Sequence, residues 1–251
     1  MENKEFFIEC DGIKLHAKLD VPKEKQERYP CVIVVHGLTG HMEEIHIKEV
    51  AKACNEVGYA TLRVELYGHG KSEGIFRNHT IFHWVLELMQ IVGYVHQMQE
   101  VTDIYLAGHS QGGAAVMLAA AIKEPYIKGI LLLSPGMMLK DVAIHGGFPQ
   151  TEYDPENLGE EVLLFGEYPL AADYFRVCRM LPFDEAVQGF RKNVLIIHAD
   201  TDELVPYCYA VKLQKKYNKG ELVTIPEDDH CYTKHLAMVV EAVKAFLEKR
   251  N

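Results

Sequence analysis

The chain has 251 residues, of which 48 % are hydrophobic and 25 % charged, and its formal net charge is −10. That length and mix suit one large α/β domain or two small ones with a sizeable core. The acidic balance argues against nucleic acid, an anionic membrane surface or a polyanionic substrate as partner, and no run approaches the ~18 apolar residues of a membrane span.

In chain order, residues 6–10 and 13–19 alternate in polarity around Asp11-Gly12, a two-residue hairpin turn. A polar loop through Lys23-Glu24-Lys25-Gln26-Glu27-Arg28 leads to Cys31-Val32-Ile33-Val34-Val35, apolar on both faces and hence a buried parallel strand. Helical spacing over 43–57 stops at Gly58. A strand at 59–64, the glycine-rich loop 67–72 and a helix at 80–99 follow. Residues 104–107 form a strand, 113–121 a helix of small residues, and 129–134 another strand. After a gap the alternation resumes with a strand at 194–198, a helix at 207–217, a strand at 222–225 and a closing helix at 232–248. This order predicts an α/β fold: a mostly parallel, doubly wound sheet with an N-terminal antiparallel hairpin.

The gap, residues 136–190, holds Gly146, Gly147, Pro149, Pro155, Pro169 and Pro182 among scattered aromatics. It is too long for a plain loop. It reads as an inserted cap, or lid, over the carboxyl ends of the strands, where α/β sheets bind ligands. The expected division is a core of 1–135 and 191–251 with a cap of 136–190.

Gly108-His109-Ser110-Gln111-Gly112 sits between a strand and a helix, the layout of a nucleophile elbow. Composition alone predicts about 0.02 such matches in the chain. A serine needs a base, and the base an orienting acid. Both follow at later strand ends, in the order this architecture uses: Asp202, just past the strand 194–198, and His230, just past 222–225. Asp202 reaches further into the rim than Asp200, which sits at the strand end. His235 falls inside the expected closing helix and reads as a surface or packing residue. An acyl-transfer site also needs donors for the oxyanion. The N–H of Gln111 follows the nucleophile, and the N–H of Leu38 lies in His36-Gly37-Leu38-Thr39-Gly40 after an early strand. His36 reads as a bracing residue.

Other signals fade. Gly70-Lys71-Ser72 looks like the end of a phosphate loop, but the glycine that pattern needs at position 65 is Glu65. No Gly-x-Gly-x-x-Gly follows a strand and no His-Glu-x-x-His occurs, so neither a cofactor nor a metal is expected. The 13 histidines read as satisfied or solvated, and Trp84 as core. Cys10, Cys31, Cys54, Cys178, Cys208 and Cys231 form no Cys-x-x-Cys pair and read as buried free thiols in a reducing compartment. Met1 to Phe7 carries no signal-peptide pattern, so a cytoplasmic location is expected.

The elbow, the His36-Gly37 loop and the order of acid and histidine resemble the α/β-hydrolase superfamily. Longer stretches are similar to its bacterial cinnamoyl (feruloyl) esterases: residues 36–41, 67–72, 108–113, 202–206 and Asp229-His230-Cys231-Tyr232. The resemblance places the nucleophile on Ser110, the acid on Asp202, the base on His230 and the oxyanion donors on Leu38 and Gln111. It implies a serine esterase for hydroxycinnamate esters (ferulate, p-coumarate, caffeate). Tyr174 resembles a cap position that bonds phenolic substituents in related esterases, and Asp141 lies near another. Leu38 stands where the family commonly has Phe, which removes an aromatic wall. A monoacylglycerol lipase or short-chain carboxylesterase, an aminopeptidase and a non-catalytic binding protein are the alternatives. The expected partner is a small-molecule ester, with no nucleic acid and no membrane; a homodimer is left open.

Overall fold

A computed structural model of the chain describes residues 2–24 and 26–250; Met1, Lys25 of the polar loop, and Asn251 lie outside the described residues. The elements are β1 (Lys4–Cys10), β2 (Ile13–Asp20), β3 (Tyr29–Val35), α1 (Ile45–Glu56), β4 (Ala60–Val64), α2 (Ile81–His96), β5 (Val101–His109), α3 (Gln111–Ile122) and β6 (Ile127–Leu133). Then come α4 (Leu139–His145), β7 (Glu161–Leu164), β8 (Tyr168–Ala171), α5 (Ala172–Cys178), α6 (Phe183–Gly189), β9 (Asn193–Ala199), α7 (Cys208–Lys216), β10 (Gly220–Ile225) and α8 (Leu236–Glu248). Among the described residues, no helix is long and apolar enough to cross a membrane.

Eight strands form one sheet in the order β1-β2-β4-β3-β5-β6-β9-β10. β1 pairs antiparallel with β2, and β2 antiparallel with β4; the remaining pairs are parallel. Cys10 faces Ile13 across the first hairpin, and both turn residues are left-handed, with φ +48° at Asp11 and +80° at Gly12. That is the backbone a two-residue turn between twisted strands requires.

β3 shows why its sequence is apolar throughout. Cys31, Ile33 and Val35 join the core formed with α2 and α3, whereas Val32 and Val34 join the core formed with α1 and α8. Successive side chains point to opposite faces, and both faces are covered. α3 is buried from Gln111 to Ala120 because its small residues let it lie close against the sheet. α2 begins where expected: the Thr80 hydroxyl accepts from the His83 N–H while the His83 ring accepts from the Thr80 N–H, a reciprocal cap. Trp84, on α2, is fully buried.

Two expectations need correction. The closing helix starts at Leu236, not near 232. The buried Asp228 carboxylate captures the N–H groups of Lys234 and His235, holding 228–235 as a turn, so His235 precedes the helix rather than sitting inside it. The six thiols are free, but Cys208, at the start of α7, is exposed and Cys231 half-buried.

Between β6 and β9 the chain forms α4, a small β7–β8 hairpin, α5 and α6. The hairpin turns through Phe165 and Gly166, with φ +54° and +72°.

The glycine-rich loop is a brace. His16 bonds Glu65 through Nδ1 and Glu5 through Nε2, each at 2.7 Å. Glu65 also accepts from the Lys71 N–H at 2.7 Å, and Ser72 donates to the Glu65 carbonyl at 2.6 Å. The residue that breaks the phosphate-loop pattern therefore anchors the loop to the N-terminal hairpin.

Candidate active site

Ser110 occupies the turn between β5 and α3 with φ +55° and ψ −123°. A non-glycine residue in this region is strained and persists only when its surroundings fix it. Its N–H donates to the Leu133 carbonyl at 2.9 Å, and its carbonyl accepts from the N–H of Gly136 at 2.8 Å and of Ala114 at 3.1 Å. Side chains are excluded around it: a Cβ on Gly108 would strike the Gly112 carbonyl, and one on Gly112 the carbonyl of His36.

The loop after β3 passes against the serine, where a Cβ on Gly37 would lie 3.1 Å from Ser110 Cβ. Two neutral histidines hold this loop. His36 donates from Nδ1 to the Gly37 carbonyl at 2.7 Å and accepts from the Leu66 N–H at 3.2 Å. His69 donates to the Tyr67 carbonyl at 2.9 Å and accepts from the Thr39 N–H at 3.3 Å. Burial pushes His36 down to about 4 and His69 down to about 3, so each ring keeps a lone pair for its backbone donor.

Leu38, Ser110, Gln111 and His230 line one cavity of about 130 Å³, together with Met138, Leu139, Phe148, Phe165, Leu204, Val205 and Cys231. Among the described residues, neither the Leu38 N–H nor the Gln111 N–H donates to a protein acceptor. Both are available to an anion, and the Gln111 N–H lies at the positive end of α3. A larger concavity of about 590 Å³, lined by Lys48, Lys52, Asn55 and Glu56 among others, shares no residue with this site.

His230 binds Asp202 through Nδ1···Oδ2 at 2.8 Å, and both side chains are buried. The other oxygen of Asp202 accepts the N–H groups of Leu204 and Val205 at 2.9 and 2.8 Å. Burial works against ionisation of Asp202, but hydrogen bonds from His198 and His230, the His230 charge and the Val205 N–H outweigh it and hold the carboxyl well below the usual carboxylate range. Asp200 stays away from His230 and accepts the Glu227 N–H at 2.7 Å, bracing the turn after β10. The His230 carbonyl accepts from His109 Nε2 at 2.9 Å, which ties the loop after β10 to the residue before Ser110. The Cys231 thiol is pushed up to about 12 by burial and by the nearby Glu44 and Asp229, so it stays protonated at neutral pH.

Two expected substrate contacts are placed elsewhere. Tyr174 is buried and does not line the cavity; its hydroxyl donates to Gln111 Oε1 at 2.6 Å. Asp141 lies on α4 beside a separate groove, where it accepts from the Tyr209 hydroxyl at 2.6 Å. Segment resemblance reaches these positions only locally, and packing of α5 and α4 decides where the side chains point.

One residue escaped sequence reasoning. His198, next to last in β9, places Nε2 3.2 Å from Asp202 Oδ2 and 2.8 Å from the Val205 carbonyl. Its four-residue spacing ahead of Asp202, at the end of an apolar strand, is the signal that could have found it.

Residues 26–150 match the family model for serine aminopeptidase, S33, and residues 169–251 match that for TAP-like protein. The structure of Est1E from Butyrivibrio proteoclasticus with ferulic acid bound superposes with a TM-score of 0.95 at 46 % identity, covering 97 % of this chain and 98 % of that one. The monoglyceride lipase of Rattus norvegicus is 31 % identical over 107 residues, 41 % of this chain and 34 % of that protein. The mitochondrial palmitoyl-protein thioesterase ABHD10 of Mus musculus is 26 % identical over 227 residues, 82 % of this chain and 68 % of that protein. The chain thus spans about a third of the length of the monoglyceride lipase it matches.

Proposed function

The chain belongs to the α/β-hydrolase family of serine hydrolases, and from that premise we propose that it hydrolyses carboxylic esters of hydroxycinnamic acids. The observation that carries the chemistry is the shared cavity of Ser110 and His230, with the Asp202 carboxylate on the far side of the imidazole. Ser110 Oγ attacks the ester carbonyl and His230 Nε2 takes its proton. The Leu38 and Gln111 N–H groups receive the oxyanion. His230 then protonates the leaving alcohol, and in the second half-reaction it draws a proton from water to release the acid. Asp202 fixes the ring tautomer and stabilises the cation. No step calls for a cofactor.

The acyl preference is supported by the likeness to Est1E, whose structure holds ferulic acid. The 136–190 segment acts as the cap: Met138, Leu139, Phe148 and Phe165 give the cavity an apolar wall. At about 130 Å³ the cavity is below the ~300–1,000 Å³ of ordinary ligand pockets. An aromatic acyl group therefore enters by displacing the Phe148 and Phe165 rings, which meet edge-on at 5.7 Å.

The second reading is a monoacylglycerol lipase or short-chain carboxylesterase, favoured by the apolar lining and the match to monoglyceride lipase. Comparing kcat/KM on methyl ferulate, a monoacylglycerol and p-nitrophenyl butyrate separates the two, with methyl ferulate expected to lead. Ser110→Ala should lose several orders of magnitude in kcat on each and all labelling by a fluorophosphonate. Near-normal turnover in that variant sinks the mechanism.

A further inference from the structure

Behind the base loop lies a cluster the proposed reaction does not use. His46 on α1, His109 at the end of β5 and Cys231 after β10 bring their ligand atoms within 4.8 Å of one another. Both histidines are buried, and His46 Nε2 lies 3.2 Å from His109 Nδ1. Zn–N bonds of about 2.0–2.1 Å and Zn–S bonds of about 2.3 Å place tetrahedral ligand atoms roughly 3.3–3.6 Å apart. The pair of nitrogens is already near that separation, and the sulfur needs a shift of about an ångström.

We propose that His46, His109 and Cys231 form a binding site for a soft divalent cation of the zinc type, and that occupancy inhibits the enzyme. The site goes beyond the esterase reading: its binding half is independent of that reading, and only its inhibitory half rests on it.

Four features carry it. Two imidazoles and a sulfur are ligands that suit zinc rather than magnesium or calcium. His109 donates from Nε2 to the His230 carbonyl at 2.9 Å, which leaves the Nδ1 lone pair facing the cluster, the outer bond typical of a metal-ligating histidine. Glu44, Asp229, Glu203 and Asp202 all bear on the Cys231 thiol, and their negative field favours a cation there. His109 and Cys231 line the Ser110 cavity, which supplies an entry path and room for water as fourth ligand.

The proton balance is simple. The Cys231 thiol gives its proton to solvent as the Sγ–metal bond forms. His46, which donates to His109 from Nε2, moves that proton to Nδ1 and ligates through Nε2. One proton is released per ion. Inhibition follows from position: the His109 and His230 rings have centroids 4.6 Å apart, so a bound dication opposes the imidazolium that must form on His230. It also pins residue 231, next to the base, to β5 and α1.

The test uses the full chain with cobalt and zinc as probes. Co²⁺ should bind at one equivalent with a thiolate-to-cobalt charge-transfer band, in the wild type and equally in Ser110→Ala, where failure of the esterase reading is irrelevant. Zn²⁺ affinity should rise about tenfold per pH unit, as one released proton requires. Zn²⁺ should inhibit turnover reversibly, with activity restored by a chelator. Cys231→Ser and Cys231→Ala should lose the band, and they and His46→Gln should lose Zn²⁺ sensitivity, each judged against its own metal-free rate. No charge-transfer band in a folded wild type overturns the site. Unchanged Zn²⁺ inhibition in the Cys231 and His46 variants also overturns it, because the ion would then act on His230 directly. Binding without inhibition overturns the inhibitory half.

Discussion

The Tyr174 hydroxyl donates a hydrogen bond to Oε1 of Gln111 at 2.6 Å, and both side chains are buried. The Gln111 amide in turn donates to His79 Nε2 at 3.3 Å, and His79 donates from Nδ1 to the Phe76 carbonyl at 2.7 Å. Burial pushes His79 down to about 3, which keeps it a neutral acceptor for the amide. The Gln111 side chain is thus fixed at both ends.

Tyr174→Phe would leave the Gln111 carbonyl oxygen buried and unpaired, at a cost of roughly 1–3 kcal/mol. The expected result is a lower urea midpoint and a several-fold fall in kcat. KM should change little, and equally for ferulate and unsubstituted cinnamate esters. A rise in KM confined to the phenolic ester would instead put Tyr174 on the substrate ring.

His198 shares Asp202 Oδ2 with His230, and in the proposed mechanism it would position that carboxylate. His198→Leu removes a donor from that oxygen and should lower kcat about tenfold while KM holds. With one donor fewer, the carboxylate stabilises the His230 cation more, so the acid limb of the kcat/KM profile should move to higher pH. His198→Gln, which retains a donor, should recover most of the rate. An unmoved acid limb in His198→Leu would reduce the residue to packing.

Glu87, on α2, is buried with a carboxylate oxygen 3.0 Å from the Tyr67 N–H, and burial raises it to about 8. Between pH 4.5 and about 8 the folded chain keeps a proton that the unfolded chain has lost. Its contribution is complete below 4.5 and declines as pH rises through 8, by roughly 1.4 kcal/mol per pH unit at the steepest. The buried histidines act oppositely: His36 and His46 near 4 and His69 and His79 near 3 favour the fold above 6.5 and lose that contribution as pH falls. From pH 6.5 to 8.5 the wild-type Tm should therefore drop. Glu87→Gln keeps an acceptor for Tyr67 and should flatten that slope. An equal slope in both proteins would exclude Glu87 as the source.

Phe165, at the left-handed tip of the β7–β8 hairpin, closes the cavity against Phe148. Phe165→Ala should open that wall without touching Ser110. The ratio of kcat/KM for methyl ferulate over p-nitrophenyl butyrate should change several-fold, while labelling by a fluorophosphonate proceeds at no lower rate. Slower labelling would mean that the ring supports the nucleophile instead.

The features legible in the sequence share one physical property: each is encoded within a few consecutive residues. Gly108 and Gly112 announce a turn that no other residues fit, and Asp11-Gly12 announces a hairpin. Asp202 and His230 each follow an apolar strand, so their meeting follows from the parallel sheet. Illegible features arise from elements brought together late. His46, His109 and Cys231 are spread over 186 positions, and no spacing rule links them. Local resemblance points Tyr174 at substrate, but α5 packs it onto Gln111. The periodicity of the closing helix continues back through 232–235, but there the Asp228 side chain takes the backbone donors of Lys234 and His235 and the helix begins at Leu236.

Because α3 is buried from Gln111 to Ala120, the segment that carries Ser110 should be among the last to open. The β7–β8 hairpin bearing Phe165 is covered on one face only, with Val162, Leu164 and Leu170 buried and Glu161 and Leu163 exposed, and should open sooner. Amide exchange should divide the two walls of the cavity, slow behind Ser110 and fast across from it. Selection acting on residues 136–190 could then change which esters fit while the reacting geometry stays unaltered, so substrate range and catalytic power can evolve on separate surfaces of one pocket.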